Sequence, residues 1–373
     1  MAEIEIGRGK RGRTGYSFDE VAVAPSRRTR DDAEVSTSWQ IDAYRFDAPI
    51  VAAPMDSVVS PESAIELARL GILPVLNIEG IWARYADPTE ALERIRSVEP
   101  DKATRELQRL YSDAPVDPGL IRERVAQIRS GGGTVAVAVS PQHAAELTPC
   151  AVSAGIDMLV IRGTTVSAEH VSSNGSPLNL KTFIYELDVP VIVGGCATYQ
   201  AALHLMRTGA AGVLVGFGGG AAQTNSAVLG IRVPMASAVA DVAAARRDYL
   251  DESGGRYVHV IADGSVGASG AVVKAIACGA DAVMLGSVLA RASDSPGRGR
   301  HWGAEAWHPT LPRGQRKDLG VVGTFAEILH GPSGESDGSA NIVGALRKAM
   351  ATTGYSDLKE FQRIDVVLSP PTA

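Results

Sequence analysis

The chain has 373 residues, and 45% of them are hydrophobic, which is enough for one large core or two modest domains. Its formal net charge of −6 does not indicate a surface for nucleic acid or anionic membranes. No run of about 18 apolar residues occurs and the N-terminus lacks an apolar signal core, so neither a spanning helix nor a signal peptide is predicted.

Eight short apolar runs, each bounded by turn residues, predict buried parallel strands. Amphipathic stretches such as PESAIELARLG and ASGAVVKAIACGA lie between them, and several begin with Ser, Thr or Pro and end at glycine, as capped helices do. The runs, in chain order, are PIVAAP from Pro49, ILPVLN from Ile72, TVAVAVS from Thr134, MLVIRG from Met158, VPVIVGG from Val189, GVLVGFG from Gly212, YVHVIADG from Tyr257 and AVMLGS from Ala282.

Eight repeats of strand and helix predict an α/β protein with a (β/α)8 TIM barrel as its single domain. A doubly wound sheet is the alternative, but it needs a reversal of strand order that nothing in the sequence marks. We expect an N-terminal arm over residues 1–45 and the barrel over residues 46–373. Within the barrel, a flap-like segment is expected at about 291–340 and a C-terminal helix at about 341–363.

In such a barrel, chemistry takes place at the carboxyl ends of the strands. The loops after strands seven and eight commonly bind phosphate, and here they read ADGS and LGS. These loops predict a phosphate site formed by Asp263, Gly264, Ser265, Gly286 and Ser287. The alternative is that the glycines only permit tight turns.

The glycine-rich run after the sixth strand also matches a dinucleotide-binding fingerprint, Gly216-x-Gly218-x-x-Ala221. That motif requires a helix to open at once and an acidic residue at the end of the next strand. An irregular run to Pro234 follows instead, and Asp263 is too distant. We therefore reject a Rossmann fold.

Cysteine and histidine usage argues against disulfides and metal sites. The three cysteines, Cys150, Cys196 and Cys278, are isolated and odd in number, which is typical of reduced thiols and predicts a cytoplasmic location. His301 and His308 flank two tryptophans without a metal-ligand spacing, so a structural role is expected for them.

Four long stretches, in order along the chain, resemble the IMP dehydrogenase/GMP reductase family: YSFDEVAVAP, PIVAAPMDSVVSPESA, HVIADGSVGASGAVVKAIACGADAVMLGS and NIVGALRKAMATTGYSDLKEF. Members of that family often carry a CBS pair after the second strand. The stretch from Gly80 to Gly133 is too short for one and predicts helices. The chain thus resembles the CBS-less, IMP dehydrogenase-related branch of actinobacteria.

The resemblance implies a site for a purine 5′-nucleotide of the IMP, XMP or GMP type, and a place in GMP biosynthesis. In the family a cysteine thiolate attacks C2 of the purine and a hydride passes to or from NAD or NADP. The nucleotide-binding residues that the resemblance and the loop pattern predict are Met55, Gly218, Gly220, Ala221, Gln223, Asp263, Gly264, Ser265, Gly286 and Ser287.

Several positions depart from the family pattern, above all Gln223 in place of the catalytic cysteine. Asn225 replaces a threonine that activates water or ammonia, and Arg162-Gly163 replaces the aspartate that holds the nicotinamide ribose. Ala52, Gly195 and Leu214 also differ, and the Arg-Tyr pair of the flap has no counterpart. Cys196, just past the fifth strand, is the remote alternative nucleophile, although packing as an apolar residue is favoured for it.

We therefore expect a barrel that binds a purine nucleotide without cysteine chemistry, as a sensor or a partner of a true family enzyme. The alternatives are an active NAD(P)-dependent oxidoreductase that uses altered residues, and an interaction protein that assembles with IMP dehydrogenase. Arg162 makes NADP the better of two poor cofactor candidates. By resemblance, a homotetramer or a hetero-assembly is expected.

Overall fold

The structure is a computed structural model that describes residues 3–25, 27–171, 177–217, 219–310 and 314–368. Eight parallel strands close into a barrel, and we number them one to eight in chain order. Their bounds are Ile50–Ala52, Leu73–Asn77, Ala136–Val139, Met158–Arg162, Val191–Cys196, Gly212–Val215, His259–Asp263 and Ala282–Leu285. The predicted TIM barrel is confirmed.

The strand order excludes the doubly wound alternative. Each strand pairs in parallel with its neighbour in the sequence, and strand eight closes the ring against strand one through Val283 and Ile50. The strands are buried along almost their whole length, which explains why they read as continuous apolar runs rather than alternating ones.

Helices surround the barrel and occupy the connections between strands. Residues with capping side chains begin several of them: Ser60 accepts a hydrogen bond from the Ser63 amide, and Thr198 accepts one from the Ala201 amide. The helices are α1 (Pro61–Arg69), α2 (Thr89–Ser97), α3 (Ala103–Asp113), α4 (Pro118–Ser130), α5 (Ala144–Ser153), α6 (Leu180–Tyr185), α7 (Tyr199–Met206), α8 (Asn225–Leu229), α9 (Met235–Glu252), α10 (Ser269–Ala277), α11 (Phe325–His330), α12 (Ile342–Thr352) and α13 (Leu358–Phe361). Within the described ranges, no helix is both long and apolar enough to cross a membrane.

Among the described residues, four two-stranded antiparallel pairs lie outside the barrel. The first is a hairpin at the N-terminus, and the last lies in the segment expected to resemble a flap. They are Glu3–Gly7 with Lys10–Arg13, Trp39–Ile41 with Tyr44–Phe46, Val21–Val23 with Val366–Leu368, and Arg300–Trp302 with Arg316–Asp318.

Two details differ from the sequence-based expectations. The run between the glycine loop and Pro234 is not wholly irregular, because it contains the short helix α8. The stretch 341–363 is two helices, α12 and α13, rather than one. Between them Gly354 has a φ of +84°, which interrupts a right-handed helix.

The helices α2, α3 and α4 fill the stretch between strands two and three, and α2 and α3 hold the segment after strand eight. Arg316 is buried and its Nη1 donates to the carbonyl oxygens of Ile95 and Val98 at 2.7 and 2.6 Å. Tyr111 of α3 stacks on Trp307 with ring centroids 5.6 Å apart. The Tyr111 hydroxyl also donates to the buried carboxyl of Asp56 after strand one. These contacts fix the segment over one side of the barrel mouth.

A buried carboxylate, Asp281, joins the amino-terminal end of the barrel to the C-terminal helices. It accepts hydrogen bonds from Arg246 Nη1 at 2.7 Å, Tyr257 Oη at 2.7 Å and Lys359 Nζ at 2.5 Å. Burial by itself raises the pKa of Asp281, but the charges of Arg246 and Lys359 outweigh burial and hold the pKa below its ordinary value. The carboxylate is therefore ionised, and α9 and α13 both depend on it.

Replacing Asp281 with Asn should destabilise the protein by about 3–5 kcal/mol, because Arg246 would be left in the core without its counter-ion. Urea denaturation followed by circular dichroism measures this loss. Glu252→Gln is the matched control: it breaks an arginine–carboxylate pair of 2.7 Å whose two side chains are each 45% exposed, and it should have far less effect. Equal effects of the two substitutions would contradict the assignment. Since the native pKa of Asp281 is lowered, its contribution is present above about pH 4 and is lost as the pH falls below that value.

Candidate functional site

The carboxyl ends of strands one, four, six, seven and eight meet around one small cavity at the barrel mouth, which we call the inner cavity. Its volume is about 30 Å3, room for only one or two water molecules. Eight of the ten residues predicted to bind nucleotide line it: Met55, Gly220, Gln223, Asp263, Gly264, Ser265, Gly286 and Ser287. The sequence therefore predicted residues that the fold does bring together.

The remaining two predicted residues have different positions. Ala221 is exposed and does not line the inner cavity, and its carbonyl oxygen accepts a hydrogen bond from Gln315 Nε2 at 3.3 Å. Gly218 lies outside the described residues. The neighbouring Ala222 carbonyl oxygen accepts a hydrogen bond from the backbone N–H of Gln315 at 2.8 Å. Gln315 follows strand eight, so the segment after that strand holds the glycine loop in place.

The glycine loop after strand six lies directly on the turn after strand seven. A Cβ on Gly216 would collide with the carbonyl oxygen of Asp263, and one on Gly219 would collide with Ser265 Oγ. Gly264 has a φ of +113°, and a Cβ there would lie 2.9 Å from the Gly219 amide nitrogen. These glycines are thus required for backbone contact, and the contact leaves polar backbone groups from two strands at one place, as in anion-binding turns.

Gly286, directly after strand eight, forms a second close contact at the barrel mouth. A Cβ on Gly286 would lie 3.3 Å from Met55 Sδ and 3.4 Å from His301 Cε1. His301 therefore borders the inner cavity, which the sequence did not predict. Its Nδ1 lies 3.0 Å from Ser57 Oγ, and burial lowers the pKa of the ring to about 4. A histidine next to Trp302, without a metal-ligand spacing, carries no sequence signal for this position.

An ion pair crosses the barrel mouth between strands four and seven. Arg162 Nε and Nη2 lie 3.2 and 3.1 Å from Asp263 Oδ2, and both side chains are mostly buried. Both guanidinium contacts use the same oxygen, so Asp263 Oδ1 is left to accept a hydrogen bond from a hydroxyl group. Asp263, one of the predicted nucleotide-binding residues, is thus oriented by the residue that replaces a family aspartate.

A larger cavity of about 300 Å3 lies on the other side of Arg162. Glu79 lines it and accepts hydrogen bonds from the Ser140 amide and hydroxyl and from His143 Nδ1. Both the Ser140 hydroxyl and the Glu79 carboxylate face the same ring nitrogen of His143. This is not the order of a catalytic triad, which uses the two ring nitrogens separately.

The positions that replace catalytic residues lack a reactive thiol. Gln223 is partly exposed at the edge of the inner cavity, and its backbone N–H donates to the Gly220 carbonyl at 3.0 Å. Asn225 is buried and its Nδ2 contacts the Phe217 carbonyl at 3.4 Å. Cys196 is the last residue of strand five rather than just past it, and it is fully buried, which raises the pKa of its thiol to about 12. A thiol in that environment is neither ionised nor accessible at neutral pH.

Metal coordination finds no support in the ranges that the structure describes. They contain no group of three or more His, Cys, Asp or Glu side chains that could hold a metal ion.

Comparisons with known proteins agree with this geometry. The family model for the IMP dehydrogenase / GMP reductase domain matches residues 15–306. An uncharacterized oxidoreductase of Mycolicibacterium smegmatis is 55% identical over 98% of this chain and 99% of its own length. An IMP dehydrogenase/GMP reductase-like protein from Corynebacterium glutamicum, solved by crystallography, is 51% identical and has a TM-score of 0.93 over 98% of each chain.

A more distant relative has an assigned activity. The inosine-5′-monophosphate dehydrogenase of Thermoplasma acidophilum is 28% identical over 76% of this chain and 74% of its own length. The family match covers most of the chain, and the relatives above half identity cover nearly all of it. The resemblance seen in the sequence is confirmed, and the chain belongs to the IMP dehydrogenase/GMP reductase family.

Proposed function

We propose that this family member binds a purine 5′-nucleotide at the barrel mouth and does not carry out the cysteine-dependent chemistry of its family. One observation carries the proposal: eight of the predicted nucleotide-binding residues line a single cavity, and the residue at the family's nucleophile position there is Gln223, whose side chain is an amide. An amide cannot be activated by deprotonation near neutral pH and so cannot replace a thiolate.

The nucleotide's expected orientation follows from the polar groups around the inner cavity. The phosphate would lie against the turns at Gly264-Ser265 and Gly286-Ser287, where backbone amides and hydroxyls are available. The ribose would lie by Asp263 Oδ1. The inner cavity is too small for a nucleotide as it stands, so binding requires side chains to move, and Arg162 separates it from the larger cavity.

A role as a sensor or as a partner of a true family enzyme is consistent with nucleotide binding without turnover. The N-terminal hairpin supports assembly, because almost all of its residues are exposed, including Ile4 and Ile6 at 54% and 73%. A two-stranded hairpin is marginally stable alone in water and gains from being covered. A homotetramer, a hetero-assembly and a cytoplasmic location stay predictions.

An active oxidoreductase is the second candidate, because the relative at 55% identity is named an oxidoreductase. Such an enzyme would bind NAD or NADP in the larger cavity beside Arg162 and transfer a hydride to or from the purine. Because the Cys196 thiol is buried, such an enzyme would need another nucleophile or a mechanism that forms no covalent bond to the purine.

The phosphate assignment predicts that IMP or GMP binds at least about tenfold more tightly than inosine or guanosine, since a charge-assisted hydrogen bond is worth about 1.5–3 kcal/mol. Isothermal titration calorimetry measures the four affinities. Ser287→Ala should weaken nucleotide binding and leave nucleoside binding unchanged. Ser130→Ala, a serine at the exposed end of α4, is the control. Equal affinity for nucleosides and nucleotides would refute the assignment.

The Gln223 assignment predicts no covalent adduct with a 2-chloropurine ribonucleotide, so the intact mass of the wild-type protein should not change. Gln223→Cys should gain the nucleotide, because a thiolate there can form the bond to C2 as chloride leaves. Gln315→Cys is the matched control, since Gln315 borders the glycine loop without lining the inner cavity. Labelling of the wild-type protein inside the barrel would contradict the proposal.

Hydride transfer separates the two candidate functions. Reduction of NAD or NADP with IMP, and oxidation of NADPH with GMP, should both be undetectable by absorbance at the nicotinamide band. Gln223→Cys should not restore turnover, because Asn225 and Arg162 remain. A wild-type rate of about 1 per second or faster would establish the oxidoreductase instead.

A further inference from the structure

A groove outside the nucleotide site lies between residues 27–30 and the break that separates α12 from α13. We call it the arginine groove. Its volume is about 320 Å3, at the lower end of the range of small-molecule sites, about 300–1000 Å3. None of its lining residues lines the inner cavity or the larger cavity. Its lining includes Arg27, Arg28, Arg30, Tyr355, Glu360 and Arg363.

The break between the two helices holds residues 27–30 in place. The backbone N–H of Arg30 donates to the Ala351 carbonyl at 2.9 Å, and Arg30 Nε donates to the Gly354 carbonyl at 2.9 Å. A Cβ on Gly354 would lie 2.6 Å from the Arg28 carbonyl oxygen, so glycine permits this close approach. These contacts bring arginines from two distant parts of the chain into one groove.

The arginine groove is positively charged although the whole chain is acidic. Four arginines and one glutamate line it, a formal charge of +3 in a chain whose formal net charge is −6. Within the described ranges, Arg27, Arg28 and Arg363 form no ion pair within 4 Å. Arg30 differs, because its Nη1 lies 3.8 Å from the exposed carboxylate of Glu34.

Glu360, the carboxylate of the groove, offsets only part of this charge. Its hydrogen bonds from the Ser356 amide at 3.3 Å and the Ser356 hydroxyl at 2.7 Å both end on Oε2, so Oε1 is left for the arginines. Those two bonds, and then the charges of Arg30 and Arg363, lower the pKa of Glu360. The carboxylate is therefore ionised at neutral pH and cancels one of the four positive charges, which leaves three for a ligand.

Guanidinium groups and phosphate groups match in charge and in geometry, because the planar fork of arginine donates two parallel hydrogen bonds to phosphate oxygens. A single phosphate would occupy one or two forks, whereas three uncompensated charges suit several adjacent phosphates. The acidic remainder of the chain disfavours a long polyanion such as nucleic acid. Tyr355 adds an aromatic wall, and its ring is held edge to face against Phe361 with centroids 5.7 Å apart.

We propose that the arginine groove binds a chain of adjacent phosphates, as in inorganic triphosphate or a nucleoside 5′-triphosphate. Arg27, Arg28 and Arg363 contact the phosphates, and Arg30 holds the walls of the groove together. In a nucleoside triphosphate the base stacks on Tyr355. This site is independent of the nucleotide site at the barrel mouth.

Calorimetric titrations of the full chain with orthophosphate, pyrophosphate and tripolyphosphate in the presence of EDTA test the proposal. Affinity should rise with the number of phosphates, and tripolyphosphate should bind at least about tenfold more tightly than orthophosphate, because each added phosphate gains charge-assisted hydrogen bonds. Arg27→Gln and Arg363→Gln should each weaken tripolyphosphate binding about tenfold. Arg363→Lys should weaken it as well, since an ammonium group keeps the charge but loses the fork.

Arg105→Gln is the matched control for general charge. Arg105 is an exposed arginine of α3 that does not line the groove, so tripolyphosphate affinity should not change. Ser287→Ala at the barrel mouth should also leave it unchanged. Thermal melting of each variant confirms that it is folded.

ATP and GTP, titrated under the same conditions, identify the source of the phosphates. If they bind more tightly than tripolyphosphate and both Arg363→Gln and Tyr355→Leu remove the excess, the ligand is a nucleoside triphosphate. In every other case the ligand is the inorganic chain. The proposal is wrong if tripolyphosphate fails to bind below about 1 mM, if it binds no more tightly than orthophosphate, or if the Arg27 and Arg363 variants bind it as the wild type does.

Discussion

The contact between the glycine loop and the turn after strand seven is the constraint on which the site depends. Gly216 and Gly219 approach that turn so closely that a side chain at either position would collide with it. Because the two backbones touch there, Gly220 and Gln223 of the loop line the same inner cavity as Gly264 and Ser265 of the turn. A larger residue at Gly216 or Gly219 would push the loop away from the turn and alter that cavity.

The rest of the barrel mouth is held by contacts that reach far along the chain. Arg316 donates hydrogen bonds to two carbonyl oxygens at the end of α2, and Trp307 stacks on Tyr111 of α3. The short helices between strands two and three thus support the segment that covers the larger cavity. Many members of the family carry a CBS pair between strands two and three. In this chain the short stretch at that place supports the segment after strand eight instead. Asp56, whose carboxyl receives the Tyr111 hydroxyl, connects this support to strand one. Burial raises the pKa of Asp56 to about 6.

Arg162 and Asp263 show how a substitution can change a site without destroying it. The resemblance marks Arg162 as the loss of a cofactor-binding carboxylate. In the folded chain its guanidinium instead orients Asp263, with both contacts on Oδ2. Oδ1 can still accept a hydroxyl from a ribose. The pair also separates the inner cavity from the larger one, so a ligand that spans both would have to displace it.

Local sequence signals predicted the eight strands, because each is a short apolar run between turn residues, and they predicted the site residues that immediately follow strands. The features they missed are those set by distant contacts. His301 borders the inner cavity because its strand is paired with residues 316–318 and packs against Ser57, and neither contact is visible in local sequence. The ion pair of Arg162 joins strands about a hundred residues apart. The break between α12 and α13 was visible as Gly354, but a single glycine does not by itself end a helix.

A crystal structure of the protein grown with GMP tests the central claim most directly. The account predicts electron density for the phosphate within hydrogen-bonding distance of the Gly264-Ser265 and Gly286-Ser287 turns, for the ribose beside Asp263, and for a purine ring with no covalent bond to the protein. Phosphate density elsewhere in the barrel, or continuous density from the purine C2 to a cysteine sulfur, would contradict it.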